Sequence, residues 1–196
     1  MFEITDEIEK KWLGATEAFN LGDKKLALKL FKEIADEGCE YAYTEIANIY
    51  ELGGNNVEKD IEKAKRWYKK AAYDARDEDA YLALARIAYL GLDGDINYGK
   101  AFQYYSEESL NDNPIACLRI GVMFHLGEGV GKDFSKAEIH YLKSIKMGNI
   151  IAIDYISRLY FDNGRYIKAV IYRMFALLSS LFILISFNKR SSLKKW

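Results

Sequence analysis

Residues 127–133, Gly-Glu-Gly-Val-Gly-Lys-Asp, carry three glycines and a lysine ahead of a helical run, the composition of a loop that cradles phosphate at a helix N-terminus. Other side chains able to ligate or attack are few: His125 and His140, Cys39 and Cys117, and the paired acids Glu107 and Glu108. Spacing argues against chemistry for the histidines and the cysteines, and the acid pair reads as a solvated helix face. The histidines stand 15 positions apart, too far to share one helical face as a metal pair. The cysteines stand 78 apart, which suggests neither a disulfide framework nor a four-ligand zinc site. A phosphate loop of the Walker type ends in Gly-Lys-Ser/Thr, whereas Gly131-Lys132 is followed by Asp133, whose charge repels phosphate. No Ser/His/Asp or Cys/His arrangement has motif support. The expectation is a non-enzyme with no catalytic residue, cofactor or metal.

These residues sit on elements that repeat. One proline, Pro114, in 196 residues suits helices far better than a loop-rich β fold. Lys-Ala followed by an aromatic pair recurs as KAKRWYKKAA (63–72), KAFQYYSEES (100–109) and KAEIHYLKSI (136–145), with LALKLFKEIA (26–35) before them and KAVIYRMFAL (168–177) after. The alanines Ala27, Ala64, Ala101, Ala137 and Ala169 are separated by 37, 37, 36 and 32 positions. A period near 36 means stacked supersecondary units. Upstream of these copies, small and apolar residues recur at helical spacing: Ala42, Ile46, Ala47 and Tyr50; Ala80, Leu84, Ala85 and Ala88; Ala116, Ile120, Gly121 and Phe124; Ala152, Ile156, Ser157 and Tyr160. Each unit is therefore a helix-turn-helix hairpin. The small residues admit the partner helix, and the pairs Trp67-Tyr68, Tyr104-Tyr105 and His140-Tyr141 fill the space between hairpins.

Boundary signals agree. Asn113 before Pro114 starts a helix, Asp60 and Asp133 cap second helices, and Gly38 and Gly148 sit at helix stops. GEGVGKD then occupies the hairpin turn of its unit, the place held elsewhere by GGNNVEKD (53–60) and GLDGDIN (91–97). A loop that recurs with different residues in every unit turns a corner; it does not hold a ligand.

The layout resembles the Sel-one-like repeat (SLR) family, a relative of the tetratricopeptide repeat. Residues 116–148 carry the first half of its pattern through Ala116, Ile120-Gly121, Phe124, Gly127-Glu128-Gly129-Val130 and Asp133, and residues 42–72 its second half through Lys63-Ala64, Trp67-Tyr68 and Ala71-Ala72. The resemblance implies an all-α, α/α superhelical solenoid of about five repeats (5–38, 39–75, 77–111, 113–148 and 150–177), with 178–196 as an apolar helical extension and basic tail. The first and last units depart from the pattern with short turns, and in the last Arg173 replaces the second aromatic.

The resemblance also implies a non-catalytic scaffold that binds another protein or peptide in the concave groove of the first helices. Groove positions vary between units in three rows: Trp12, Thr44, Leu82, Leu118 and Asp154; Thr16, Asn48, Arg86, Val122 and Arg158; Phe19, Glu51, Tyr89, His125 and Phe161. Asn48, Arg86 and Arg158 suit a peptide backbone or carboxylate, and Leu118, Tyr89 and His125 an apolar centre. Residues 1–164 hold 21 basic and 29 acidic side chains, which disfavours nucleic acid as a partner; residues 165–196 hold seven basic and none acidic. The reading is a cytoplasmic, bacterial-type adaptor, since the start lacks the features of a secretory signal. Alternatives are a toxin-neutralising, immunity-type inhibitor using the same groove, or a membrane-associated adaptor held by 169–187. That segment reads first as a helix covering the end of the stack, because its uncharged run, 174–187, counts 14 residues and is short for a span.

Overall fold

A computed structural model describes the backbone of residues 5–193 except 55 and 111, and the side chains of 5–179 except 55 and 108–111. Ten helices run along the described residues: α1 (Asp6–Asn20), α2 (Lys24–Asp36), α3 (Ala42–Leu52), α4 (Ile61–Tyr73), α5 (Glu78–Leu90), α6 (Tyr98–Leu110), α7 (Pro114–Leu126), α8 (Phe134–Lys146), α9 (Ile151–Asp162) and α10 (Tyr166–Leu193). The fold class is all-α, and successive helices pair as hairpins. The chain divides into two compact units, residues 1–104 and 105–196.

Hairpin closure follows one rule in four of the five turns. The N–H of Asp60, Asn97, Asp133 or Arg165 donates to the carbonyl of Tyr50, Ala88, Phe124 or Tyr160, at 2.8, 2.8, 2.8 and 2.7 Å. These carbonyls belong to residues that correspond across the repeat, so the bond locks the second helix at a constant register on the first. Asp60, Asn97 and Asp133 then cap the helix that follows, each accepting from an amide two or three residues on. In GEGVGKD the amides of Gly127 and Glu128 bond to Met123 O and that of Asp133 to Phe124 O, so three of the loop's seven amides turn to its own hairpin. Glycine is required where the chain doubles back: Gly53 and Gly91 have φ of +60° and +63°, and a Cβ on either would lie 2.8 Å from the backbone of Lys59 or Ile96.

Packing places the period inside. Ala27, Ala64, Ala101, Ala137 and Ala169 are all buried, as are Ala42, Ala80, Ala116 and Ala152 on the first helices. Phe31, Tyr68, Tyr105 and Tyr141, four residues after the first four of those alanines, are buried too. In the first unit, Ile8, Phe31, Ile34, Ile46 and Ile49 form one core with Trp12 edge-on to Phe31 at 5.2 Å. In the second, Tyr141, Ile156, Leu159 and Tyr160 form another, and Tyr155 of α9 reaches back to Tyr141 at 5.9 Å. Burying each such ring contributes about 1.5–3 kcal/mol.

Gly121 on α7 makes the closest approach. A Cβ there would lie 2.6 Å from two carbons of the Tyr141 ring, which is fully buried and has nowhere to retreat. Gly121→Ala is therefore expected to lower stability by about 1–3 kcal/mol through overpacking, even though alanine is the better helix former by up to about 1 kcal/mol. Urea unfolding of the variant measures the net sign; a gain in stability would contradict the packing.

α10 continues without a break to Leu193, so the segment expected as an extension from 178 is the same helix as the last hairpin's second arm. The side chains of the expected segment beyond residue 179, and the tail residues Lys194 and Lys195, lie outside the described residues. Arg173, in the register of the buried tyrosines, is exposed and bonds to Asp154.

Candidate functional site

The first helices of the hairpins carry the sequence-derived contact positions, and the structure sorts these by what each touches. In the first unit, Tyr68 rises from α4 and its hydroxyl lies 2.6 Å from Asn48 Oδ1 and 2.8 Å from Glu51 Oε2, both on α3. Glu51 in turn receives Arg86 of α5, with a guanidinium nitrogen 2.6 Å from Oε1 and 2.7 Å from Oε2. Asn48 also faces Glu45 at 3.5 Å. One side chain from each of three helices thus meets at Glu51. Arg86 keeps 42% of its side chain exposed, so its remaining N–H groups stay open to a further acceptor.

Thr44 is buried and donates to Asp77, the residue that caps α5, so it ties one hairpin to the next. Leu82 and Tyr89 are half-buried on α5, Tyr89 edge-on to Tyr98 at 5.2 Å. Trp12 and Phe19 are half-buried on α1, whereas Thr16 is exposed and its hydroxyl donates to the Trp12 carbonyl.

The second unit treats the same rows differently. Leu118, Val122 and His125 are buried on α7, so they face the interior of that unit and shape its surface only through what they support. His125 Nδ1 stands 3.3 Å from the Tyr141 hydroxyl and Nε2 stands 2.9 Å from Asp162. His125 and Glu51 occupy the same row, and both meet the hydroxyl of the second aromatic of their hairpin. Asp154 is half-buried on α9 between Arg158 at 2.7 Å and Arg173, while Arg158 and Phe161 are exposed. Arg158, Phe161, Asp162, Val170 and Arg173 line a cleft of about 400 Å³.

Sequence reasoning missed the inward turn of Leu118 and Val122, although a signal existed. α7 reads PIACLRIGVMFHL with one charged residue, apolar around its whole circumference, the mark of a buried helix. It also missed Tyr68 as the residue that organises the first unit's polar cluster. Its hydroxyl is held neutral chiefly by burial and then by the Glu51 carboxylate, both of which raise its pKa well beyond the ordinary tyrosine range.

Two further tyrosines behave alike, and their titration is testable. Burial and then Tyr73 push Tyr104 up to about 12, and burial and then a hydrogen bond to Glu138 raise Tyr160. A raised native pKa means that the folded state holds its proton more firmly than the unfolded chain. Stability from these groups is present in full below about pH 10, the unfolded value, and is lost as pH climbs through each raised native value, near 12 for Tyr104. Ultraviolet titration should show these three of the 15 tyrosines ionising only as the helix signal collapses. Full ionisation near pH 10 with the helix signal intact would contradict their burial.

Charge divides between the two arms of a hairpin. α4 carries Lys63, Lys65, Arg66, Lys69 and Lys70 against Glu62, whereas α3 carries Glu45 and Glu51 and no base. Two of the lysines lie over rings: Lys63 over Tyr50 at 5.6 Å, and Lys70 over Tyr43 and Trp67 at 5.3 and 5.0 Å. Among the described residues, no group of three or more His, Cys, Asp or Glu is placed to hold a metal ion.

The Sel1 repeat pattern matches four segments of the chain, residues 18–39, 40–74, 79–107 and 114–149. Over 116 residues the chain is 27% identical to the ERAD-associated E3 ubiquitin-protein ligase component HRD3B of Arabidopsis thaliana. That match takes in 59% of this chain and 18% of the relative, so the chain spans less than a fifth of that protein's length. Among solved structures it is similar to a Sel1 repeat protein from Oxalobacter formigenes, with a TM-score of 0.70 and 26% identity over 86% of this chain and 71% of the other. A protective antigen present in uropathogenic Escherichia coli strains, displaying an SLR fold, shares the fold with a TM-score of 0.75 at 20% identity, over 88% of this chain and 38% of that one.

Proposed function

The chain belongs to the Sel1 repeat family, and from that premise we propose that it is an adaptor which holds a segment of another polypeptide against the first helices of its hairpins. Sel1 repeat proteins are generally scaffolds for protein–protein interaction and typically non-catalytic. The observation that carries the finer reading is the cluster on α3 and α5, where Glu51 fixes Arg86 in place while leaving it half-exposed beside Leu82. A fixed guanidinium offers donors to a backbone carbonyl or carboxylate at little entropic cost, and Leu82 and Tyr89 supply the apolar contact that a hot spot needs. In the second unit Asp154 and Arg158 hold the equivalent rows.

The contact positions under this proposal are, in the first unit, Thr16, Asn48, Leu82, Arg86 and Tyr89 with Thr44 and Glu51 behind them, and, in the second unit taken by itself, Asp154 and Arg158 with Leu118, Val122 and His125 behind them. The acid excess over residues 1–164 favours a partner with basic side chains, and a toxin-neutralising inhibitor would use the same surface. Cys39 and Cys117 are buried, and two cysteines 78 positions apart form no disulfide framework, which supports the cytoplasmic reading.

The test compares Leu82→Glu on α5 with Lys69→Glu on the exposed face of α4, each in the full chain and checked by circular dichroism. Partner captured by the wild type should be lost by at least about tenfold in the first and retained in the second. Loss in Lys69→Glu with retention in Leu82→Glu would put the partner on the other face and sink the proposal.

A further inference from the structure

α10 has 28 residues and its hairpin partner α9 has 12. At 1.5 Å per residue these are roughly 42 and 18 Å long, so α9 can cover less than half of α10. Over the described part, Ala169, Tyr172 and Ala176 face inward or are half-buried, with Tyr172 against Tyr160 of α9. The opposite side is bare hydrocarbon. Ile167, Val170, Ile171, Met174 and Leu178 recur at helical spacing, with Ile167 81% exposed, Met174 58% and Leu178 59%. An apolar stripe this long is rare on a protein that meets only water.

Charge identifies what covers it. Residues 165–196 contain seven basic side chains and no acidic one. Arg165 and Arg173 answer carboxylates of the second unit, Glu138 and Asp154, and Lys168 lies over the Tyr160 ring. The sequence after the apolar run adds four more cations, Lys189, Arg190, Lys194 and Lys195. A second copy is the poorer occupant, because two such segments would bring eight further cations, four from each, to a shared face with no carboxylate in residues 165–196 to answer them. Spanning a bilayer is also the poorer fit: the uncharged run 174–187 is 14 residues, roughly 21 Å as a helix against a hydrocarbon core of about 30 Å. Among the described residues, no helix is long and apolar enough to cross a membrane.

We propose that α10, with the basic residues that close the sequence, docks on a bilayer surface rich in anionic phospholipid. The stripe from Ile167 to Leu178 enters the boundary between headgroups and acyl chains, and the positive charge that the sequence carries over 189–195 adds attraction to an anionic surface. The helix lies along the surface. The inference does not depend on the adaptor reading.

Flotation of the full chain with vesicles tests it, comparing phosphatidylcholine alone with phosphatidylcholine containing about 30% phosphatidylserine. Wild type should float with the anionic vesicles, at least about tenfold better than with neutral ones, and should release them in about 0.5 M salt. Ile167→Ser, Met174→Ser and Leu178→Ser combined should weaken binding about tenfold, as should Lys189→Gln, Arg190→Gln, Lys194→Gln and Lys195→Gln combined. Circular dichroism verifies folding; if the serine variant misfolds, the glutamine variant decides alone. Failure to float with anionic vesicles overturns the proposal, as does equal binding by wild type and glutamine variant. A concentration-dependent dimer, seen by light scattering and abolished by the serine variant while wild type ignores vesicles, assigns the stripe to a second copy instead.

Discussion

Tyr141→Ala should lower the unfolding free energy by about 3–5 kcal/mol, the largest loss expected from any single change to the second unit. The ring is fully buried, lies against the bare backbone of Gly121, and contacts His125 and Tyr155. Its removal leaves a cavity that helices on either side cannot close, because the turn bond from Asp133 to Phe124 fixes the register of α8 on α7. It also strips the hydroxyl from His125 Nδ1, which stays buried. The cavity lies where a Cβ on Gly121 would project. Gly121→Ala, harmful in the wild type, should become neutral or stabilising in the Tyr141→Ala background, giving a coupling of roughly 1–3 kcal/mol in a double-mutant cycle by urea unfolding. Additive losses would mean that the two residues do not touch.

Tyr68→Ala should cost the first unit a comparable amount, about 3–5 kcal/mol, and here the hydroxyl can be separated from the ring. Tyr68→Phe keeps the ring packing but removes the one hydroxyl proton shared between Asn48 Oδ1 and Glu51 Oε2, for a loss of about 1–3 kcal/mol. Glu51 retains Arg86, so the carboxylate stays charged and the penalty falls toward the lower end. Loosening Glu51 also frees Arg86 to move, so Tyr68→Phe should weaken partner capture while the helix signal is unchanged. Wild-type stability in Tyr68→Phe would show that the hydroxyl is solvated in both states.

Much of the fold was legible because its cause is steric and periodic. An alanine every 36 or so positions, small enough to let helices touch, marks the same buried point in each hairpin, and glycines with positive φ mark each turn. What could not be read was the direction of a polar side chain whose partner comes from another helix. Glu51 and His125 share a row that a helical wheel places beside the groove. The wheel contains no tyrosine hydroxyl, yet Tyr68 and Tyr141 draw both residues inward. Arg173 is the converse: with no second aromatic in the last hairpin, the position opens and the guanidinium turns to Asp154. Asn48 and Arg86 were named as partner contacts; each also answers a carboxylate or hydroxyl of its own unit, so their exposure decides what they have left to offer.

Hydroxyl-radical footprinting of the full chain with and without its captured partner tests most directly whether first helices are the working surface. Protection is expected at Leu82 and Tyr89 on α5, with Tyr73 and the exposed face of α4 reacting as before. Protection of Tyr73 and the lysine-rich face of α4, with Leu82 and Tyr89 still open to radicals, would contradict it.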